Sequence, residues 1–262
     1  MCTLMRPPKG RGGFCARRSR GDMEDVTYTK IFEHETENWW YRVRRTLAMH
    51  LLRTYAPASH PKVLDIGCGT GLLLKELSAV ADAYGVDMSP VAVDFCHQRG
   101  LSNVMQTDGV SLPFPDATFD AVFALDVIEH IDDDTAAVRE MKRVLKPGGV
   151  AIIFVPAFMS LWGKNDELGQ HRRRYRLPRI VSLFTDAGYQ TLRASYFNFF
   201  LFLPILVVRR IIAPLVSRQG SELEQSGAVT NAILHRIFDA EFSLLKHVNL
   251  PFGVSAFLVA KK

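Results

Sequence analysis

Nine residues do most to limit what this chain can fold into: Val63-Leu64-Asp65-Ile66-Gly67-Cys68-Gly69-Thr70-Gly71. A short apolar run ends in three glycines at alternate positions, and a helix-forming stretch, Leu72–Val80, follows. This order reads as a buried strand, a tight turn and a helix. Glycine in the turn lets the backbone take positive φ and approach a ligand with no Cβ in the way. In a wound sheet such a turn lies at the carboxyl edge of the first strand, where ligands bind. A glycine turn alone is weak evidence, because dinucleotide folds use one too.

The rest of the chain alternates in the same manner. Strands are expected at Lys62–Ile66, Ala83–Val86, Asn103–Gln106, Phe119–Leu125, Val150–Val155, Tyr189–Tyr196 and Val254–Ala260. Helices are expected from Ser89-Pro90 to about Gln98, over Asp132–Leu145 before Pro147-Gly148-Gly149, and over Pro178–Ala187 before Gly188. Ser89 suits an N-cap and Pro90 a first helical position. Strand and helix in this rhythm predict an α/β, Rossmann-like, doubly wound parallel sheet. Two segments stand outside it. Asp25–Tyr55 has helical apolar spacing through Trp40, Val43, Leu47 and Leu51, which makes an N-terminal helical cap. Residues 197–250 form an insertion before the last strand. Its first part, Phe197–Val216, is apolar and about the length of a membrane span, but Arg209 and Arg210 lie inside it and Pro204 and Pro214 interrupt it. A lid, an acceptor-pocket wall, a membrane-surface element and ordinary core packing all remain open there.

The net charge of +5 is concentrated. Residues 1–22 hold Arg6, Lys9, Arg11, Arg17, Arg18 and Arg20 against Asp22, so residues 23–262 sum to about zero. This leader has no apolar core for a secretory signal, and its Gly, Pro and Arg content reads as disorder, with Met23 as an alternative start. A neutral body lacks the basic stripe of a nucleic-acid binder. Cys2, Cys15, Cys68 and Cys96 form no metal or redox spacing and fit a reducing compartment. The expected location is cytoplasmic, with contact at a membrane surface as a variant.

Acids placed after the strands narrow the ligand. Asp87 ends the second strand, 22 residues after Asp65, where a carboxylate can accept both hydroxyls of a ribose. Asp108 follows the third strand, where it can accept from an adenine amino group. Pro113-Phe114-Pro115-Asp116 then leads into the fourth strand. Singly, each acid is an ordinary turn former or helix cap. The runs VLDIGCGTG, GVDMSP, TDGVSLPFPDATFDAVFALDVIEHIDDD and EMKRVLKPGGVAIIFVP together resemble the type 11 branch of class I S-adenosylmethionine (SAM) methyltransferases, over roughly Trp39 to Tyr196. The resemblance implies a seven-stranded sheet with its last strand antiparallel and SAM as cofactor. It places Asp65, Gly67 and Gly69 around the methionine portion, Asp87 on the ribose, and Asp108 with Gly109 by the adenine; Met88 reads as core packing or packing on the cofactor. Leu125, Asp126 and His130 would lie near the reacting methyl. The Trp39-Trp40-Tyr41-Arg42 stretch resembles a sub-branch whose N-terminal helix closes over the cofactor, and there Arg44 would meet the SAM carboxylate or simply face solvent.

The acceptor side is carried by one block after the fifth strand: Trp162, Asn165, Asp166, Glu167, then His171-Arg172-Arg173-Arg174-Tyr175. Arg172, Arg173 and Arg174 are expected to clamp a phosphate or diphosphate, as guanidinium forks match such oxygens. Glu167 or Asp166 would be the general base, or would hold Mg²⁺ on that diphosphate. His130 is a second candidate base, or a histidine capping a turn. Phe158, Trp162, Tyr175, Tyr196, Phe197, Asn198 and Phe199 would surround a small apolar acceptor with an anionic head, such as a prenyl diphosphate methylated at carbon. The alternative for the block is a surface loop of mutually paired charges. O- or N-methylation of a small molecule or glycolipid, and an NAD-dependent oxidoreductase, are rival functions. Against the latter stands GxGxG in place of GxGxxG.

Overall fold

A computed structural model describes residues 28–212 and 227–262. The basic leader and the 213–216 end of the apolar stretch lie outside the described residues. The seven strands are β1 (Lys62–Ile66), β2 (Asp82–Asp87), β3 (Val104–Gln106), β4 (Phe119–Leu125), β5 (Leu145–Pro156), β6 (Gln190–Phe197) and β7 (Ser255–Lys261). They form one sheet in the order β3-β2-β1-β4-β5-β7-β6. β3, β2, β1, β4 and β5 are parallel to one another, while β7 runs antiparallel to both β5 and β6. The expected α/β sheet with an antiparallel last strand is therefore present.

Sequence explains the burial. Parallel strands covered on both faces are continuously apolar, and β4 is buried throughout apart from half-buried Asp120. Successive residues point to opposite faces. Phe123, Phe154, Phe257 and Val259 join Val43, Leu47 and Leu51 in one core, and Val122, Ile153 and Leu258 join Met141, Ile180 and Phe184 in the other. The first core is covered by α2 (Trp39–Tyr55) and α3 (Leu72–Ser78), the second by α5 (Asp134–Val144) and α7 (Leu177–Asp186). α4 (Pro90–Gln98) starts at proline as expected. Asp133 caps α5 by accepting from the Ala136 N–H at 2.9 Å.

The N-terminal cap differs from the single helix expected. α1 covers residues 28–34, a break follows, and α2 begins at Trp39. The cause is Asn38, whose side chain accepts from the Trp40 N–H at 2.9 Å and starts a new helix there. The insertion is mixed. Phe197 ends β6, α8 (Phe202–Val207) continues as a π-turn over Val208–Ile212, and α9 (Ala228–Leu245) packs back on the cap. Asn231 of α9 accepts from the Trp39 N–H and donates to the Glu37 carbonyl, at 2.9 and 2.8 Å. Phe238 and Leu245 are buried in the first core, so this part of the insertion is core packing. Leu203, Val207, Val208, Ile211 and Ile212 are exposed. Among the described residues no helix is long and apolar enough to cross a membrane.

The return to β7 depends on a glycine. A Cβ on Gly253 would stand 2.3 Å from the Phe197 carbonyl oxygen and within 3.0 Å of that residue's N and C. The obstacle is backbone at the end of β6 and cannot swing aside. Gly253→Ala should therefore lose about 3 kcal/mol of stability, read as a drop in thermal midpoint against wild type.

Candidate active site

The glycine turn is tied to β2 at two levels. The Gly67 and Cys68 N–H groups both donate to the Val86 carbonyl, at 2.8 and 3.0 Å. Asp87, buried at the strand's end, accepts from the Gly69 N–H at 2.8 Å and from the Ser89 N–H at 3.0 Å. Gly67, Gly69 and Gly71 take φ of 68°, 55° and 82°, which only glycine adopts without strain. A Cβ on Gly69 would meet nothing within 4 Å, so this side of the turn faces open space. Ser89 Oγ nearby is buried with no hydrogen-bond partner. Met88 beside it is 68% exposed. An open glycine backbone next to an acid and an unpartnered hydroxyl suits the sugar and chain of a nucleoside such as SAM. Asp108 is exposed and turns the chain by accepting from the Val110 and Ser111 N–H groups, while Gly109 packs on Ile66. Two open hollows of about 390 and 160 Å³, bounded by residues such as Met49, Arg53 and Val80, lie away from this turn.

Two charged groups meet under the turn. Asp65 is 2% exposed. Burial pushes its carboxyl up to about 7, against the pull of Arg44, and the charge of Asp87 adds to the rise. Arg44 donates to the Leu125 carbonyl at 2.7 Å and pairs with Asp126 at 2.8 Å. The structure thus brings Arg44 to the carboxyl end of β4 and away from bulk solvent. Asp126 itself takes φ of 56°, an unusual state for a non-glycine residue and one that clusters at functional positions.

The cap is fastened to the same turn by a residue the motifs did not single out. Glu35, buried after α1, accepts from the Thr70 hydroxyl and from Arg99. Arg99 also donates to the Thr70 carbonyl at 2.7 Å and lies over the Phe32 ring at 4.2 Å. Tyr28 reaches Asp87 at 3.5 Å. The N-terminal helices therefore close over the glycine turn.

The acceptor block is arranged differently from expectation. Asp166 is fully buried on α6 (Lys164–Leu168). It accepts from Arg174 with both oxygens, at 2.7 and 3.0 Å, from His171 Nδ1 at 2.9 Å and from the Gly163 N–H at 2.8 Å. Burial alone would raise its pKa, but the His171 and Arg174 hydrogen bonds outweigh burial and hold the carboxyl well below the usual range. A carboxylate so occupied fits neither a general base nor a Mg²⁺ ligand. The arginine fork is likewise spent. Arg174 is buried against Asp166 and the Ala157 carbonyl, Arg173 pairs with Asp134 at 3.1 Å, and Arg172 pairs with Asp132 at 2.7 Å. Tyr175 is 2% exposed and bonds Asp134, which makes it a core residue. The reading of the block as mutually paired charges is the closer one, although several pairs are buried. Glu167 is exposed on the solvent side of α6. Trp162 is half-buried at the end of a short 3₁₀ turn. Tyr196 accepts from the Leu177 N–H and stacks on Phe158 at 5.0 Å, and Asn198, 1% exposed, takes φ of 58° at the end of β6.

A residue that the motif reading passed over sits between the two sides. Glu129 is fully buried and no other residue donates a hydrogen bond to either carboxylate oxygen. Burial, then the charge of Asp126, push its pKa well up. An acid inside Val127-Ile128-Glu129-His130-Ile131 is itself a signal, because acids are seldom fully buried unpaired. His130 is held neutral, down to about 4, by burial and by His171. Its ring meets that of His171 edge-on at 4.7 Å.

Comparison with known proteins agrees with this geometry. Residues 64–153 match the family model described as a methyltransferase domain. The chain is 32% identical over 160 residues to a protein of Mycobacterium tuberculosis named as a probable S-adenosylmethionine-dependent methyltransferase, covering 59% of this chain and 57% of that one. The chain thus spans little more than half the length of that relative. A SAM-dependent methyltransferase of Thermotoga maritima shares the fold at a TM-score of 0.57 and 16% identity, over 92% of this chain and 97% of that one. The phosphoethanolamine N-methyltransferase 2 of Haemonchus contortus does so at 0.54 and 21%, over 83% and 52%. Residues 64–153, which match the methyltransferase-domain model, lie on a sheet shared with these methyltransferase structures.

The Asp166 clamp carries a stability test. Asp166→Ala strands Arg174 as a buried unpaired cation, so about 3–5 kcal/mol should be lost. Chemical denaturation would show it, and a loss below about 1 kcal/mol would mean the clamp is not formed.

Proposed function

We propose that this chain is a SAM-dependent methyltransferase acting on a small, largely apolar acceptor. The observation that carries the reading is the glycine turn held open beside Asp87, with Asp65 and Arg44 beneath it. SAM, when bound, supplies an activated methyl whose transfer in line needs chiefly proximity and alignment. The chain's own part is positional. Asp87 would hold the ribose hydroxyls, Asp108 and Gly109 the adenine, and Gly67 and Gly69 the methionine portion. Asp65, poised to ionise, would meet the cationic end. Arg44 would meet the SAM carboxylate from its place on Asp126 and Leu125. The α1–α2 cap, pinned through Glu35, would exclude water.

On the acceptor side, Phe158, Tyr196, Phe202 and Phe252 form a connected aromatic group after β5 and β6, with ring separations of 5.0–5.5 Å. It supports an apolar acceptor. An anionic head, including that of a prenyl diphosphate, is a narrower proposal. It requires Arg172 to leave Asp132, an exposed pairing that costs little to break. Glu167 would then serve as base from the solvent side, and Mg²⁺ would come with the acceptor. Oxygen or nitrogen methylation needs neither. The neutral body favours a small molecule over nucleic acid. The exposed apolar residues of α8 favour contact with a membrane surface from the cytoplasmic side.

Two measurements test the cofactor end. Asp87→Ala should weaken SAM binding by about 10- to 100-fold, the worth of hydrogen bonds to a charged group; unchanged affinity by calorimetry would remove the assignment. Asp65 gives a pH signature. A raised value means the neutral acid is favoured in the folded, unliganded chain, so its contribution to stability is complete below pH 3.8 and is lost as pH rises through about 7. A cationic ligand prefers the ionised form. SAM affinity should therefore climb from pH 5 to about 7 and then level off, and Asp65→Asn should flatten that profile.

A further inference from the structure

We infer that Glu129, His130 and His171 form a binding site for one divalent transition-metal ion of the zinc type. One ligand atom from each of the three lies within 4.8 Å of the others. The edge of a tetrahedral zinc site, with bonds of about 2.0–2.1 Å, is roughly 3.4 Å, so binding draws the side chains together by at most about 1.5 Å. The donor set is two imidazoles and one carboxylate, which suits zinc and its first-row neighbours and not Mg²⁺, an all-oxygen ion.

Two independent observations point to a ligand. Glu129 is fully buried, yet no other residue donates a hydrogen bond to either of its oxygens. A buried acid in that state is costly, and a cation held between it and two imidazoles removes the cost. His171 is also pre-oriented. Its Nδ1 lies 2.9 Å from Asp166, a carboxylate anchored in turn by Arg174. That leaves the lone pair of Nε2 as the metal-facing atom. A carboxylate behind a ligating histidine is how metal sites fix the tautomer and the ring. The Asp166 clamp, unused by the proposed methyl transfer, has its role here.

The site lies beside Asp126, at the end of β4. Three protein ligands leave a fourth position, which an acceptor hydroxyl or phenol oxygen would fill; the ion would then lower the pKa of that oxygen. This last step rests on the methyltransferase reading, whereas metal binding itself does not.

The experiment is calorimetric titration of Zn²⁺ into the full chain after chelator treatment, with metal content measured on the dialysed sample. One equivalent bound at micromolar affinity or tighter is expected. Glu129→Gln, His130→Ala and His171→Ala should each weaken it at least tenfold, and Mg²⁺ should not compete. Glu129→Gln removes a buried unpaired acid and should not lower the melting temperature, so it reports on the metal with the fold intact. Absence of bound zinc in the wild-type chain overturns the proposal. So does equal affinity in Glu129→Gln, or displacement by millimolar Mg²⁺. Titrating S-adenosylhomocysteine into the same sample separates the two claims: its binding without zinc sinks only the metal site, and zinc binding without it sinks only the methyl-transfer reading.

Discussion

The carboxylate of Asp87 is the contact on which the ligand end of this fold depends. It sits buried at the end of β2 and collects the N–H groups of Gly69 and Ser89. One side chain thereby sets the path of the glycine turn and the start of α4 together. Left-handed glycines make the turn geometrically allowed, but nothing in their own chemistry selects one loop path from many. The acid does so, and the cap then docks on the turn through Thr70, Glu35 and Arg99. A rigid turn is what lets a cap close in one place.

The other half of the edge is built from strain. β4, β5 and β6 are each followed within two residues by a non-glycine residue in the left-handed region: Asp126, Phe158 and Asn198. Such a conformation costs about 1–3 kcal/mol at each position and persists only where neighbours over-determine it. Here they do. The Asp126 N–H donates to the Phe154 carbonyl and its side chain is held by Arg44; the Phe158 N–H donates to the Tyr175 carbonyl; Glu241 receives the N–H groups of Asn198 and Phe200. Three strands of the sheet turn sharply at one edge, beside the aromatic group and the Glu129 cluster.

The sheet was legible because central strands such as β4 and β5 are largely apolar runs, strand alternates with helix along the chain, and both patterns are local. The glycine turn and Asp87 were legible for the same reason. Asn38 was not: one capping residue divides a segment whose apolar spacing is helical throughout. The arginine block misled more instructively. Arg173 and Arg174 stand in a surface-like run, and their partners, Asp134 and Asp166, lie 39 and 8 residues upstream. No periodicity reports which carboxylate a guanidinium will find. Glu129 could have been noticed, since an acid amid apolar neighbours asks for an explanation.

The position of β7 has a consequence for how the molecule assembles. It is the last strand in sequence, yet it lies between β5 and β6 in the sheet. β6 touches the rest of the sheet only through it. As the chain emerges during synthesis, β1 to β5 can associate in turn, but β6 and the aromatic residues that follow it must wait for the final strand to insert. Long-range pairing of this kind is slow to form. The glycine-turn edge can thus be in place before the edge that carries Tyr196 and Phe197 exists, and on the function proposed above a nascent chain would be able to hold its donor while still unable to receive anything to modify.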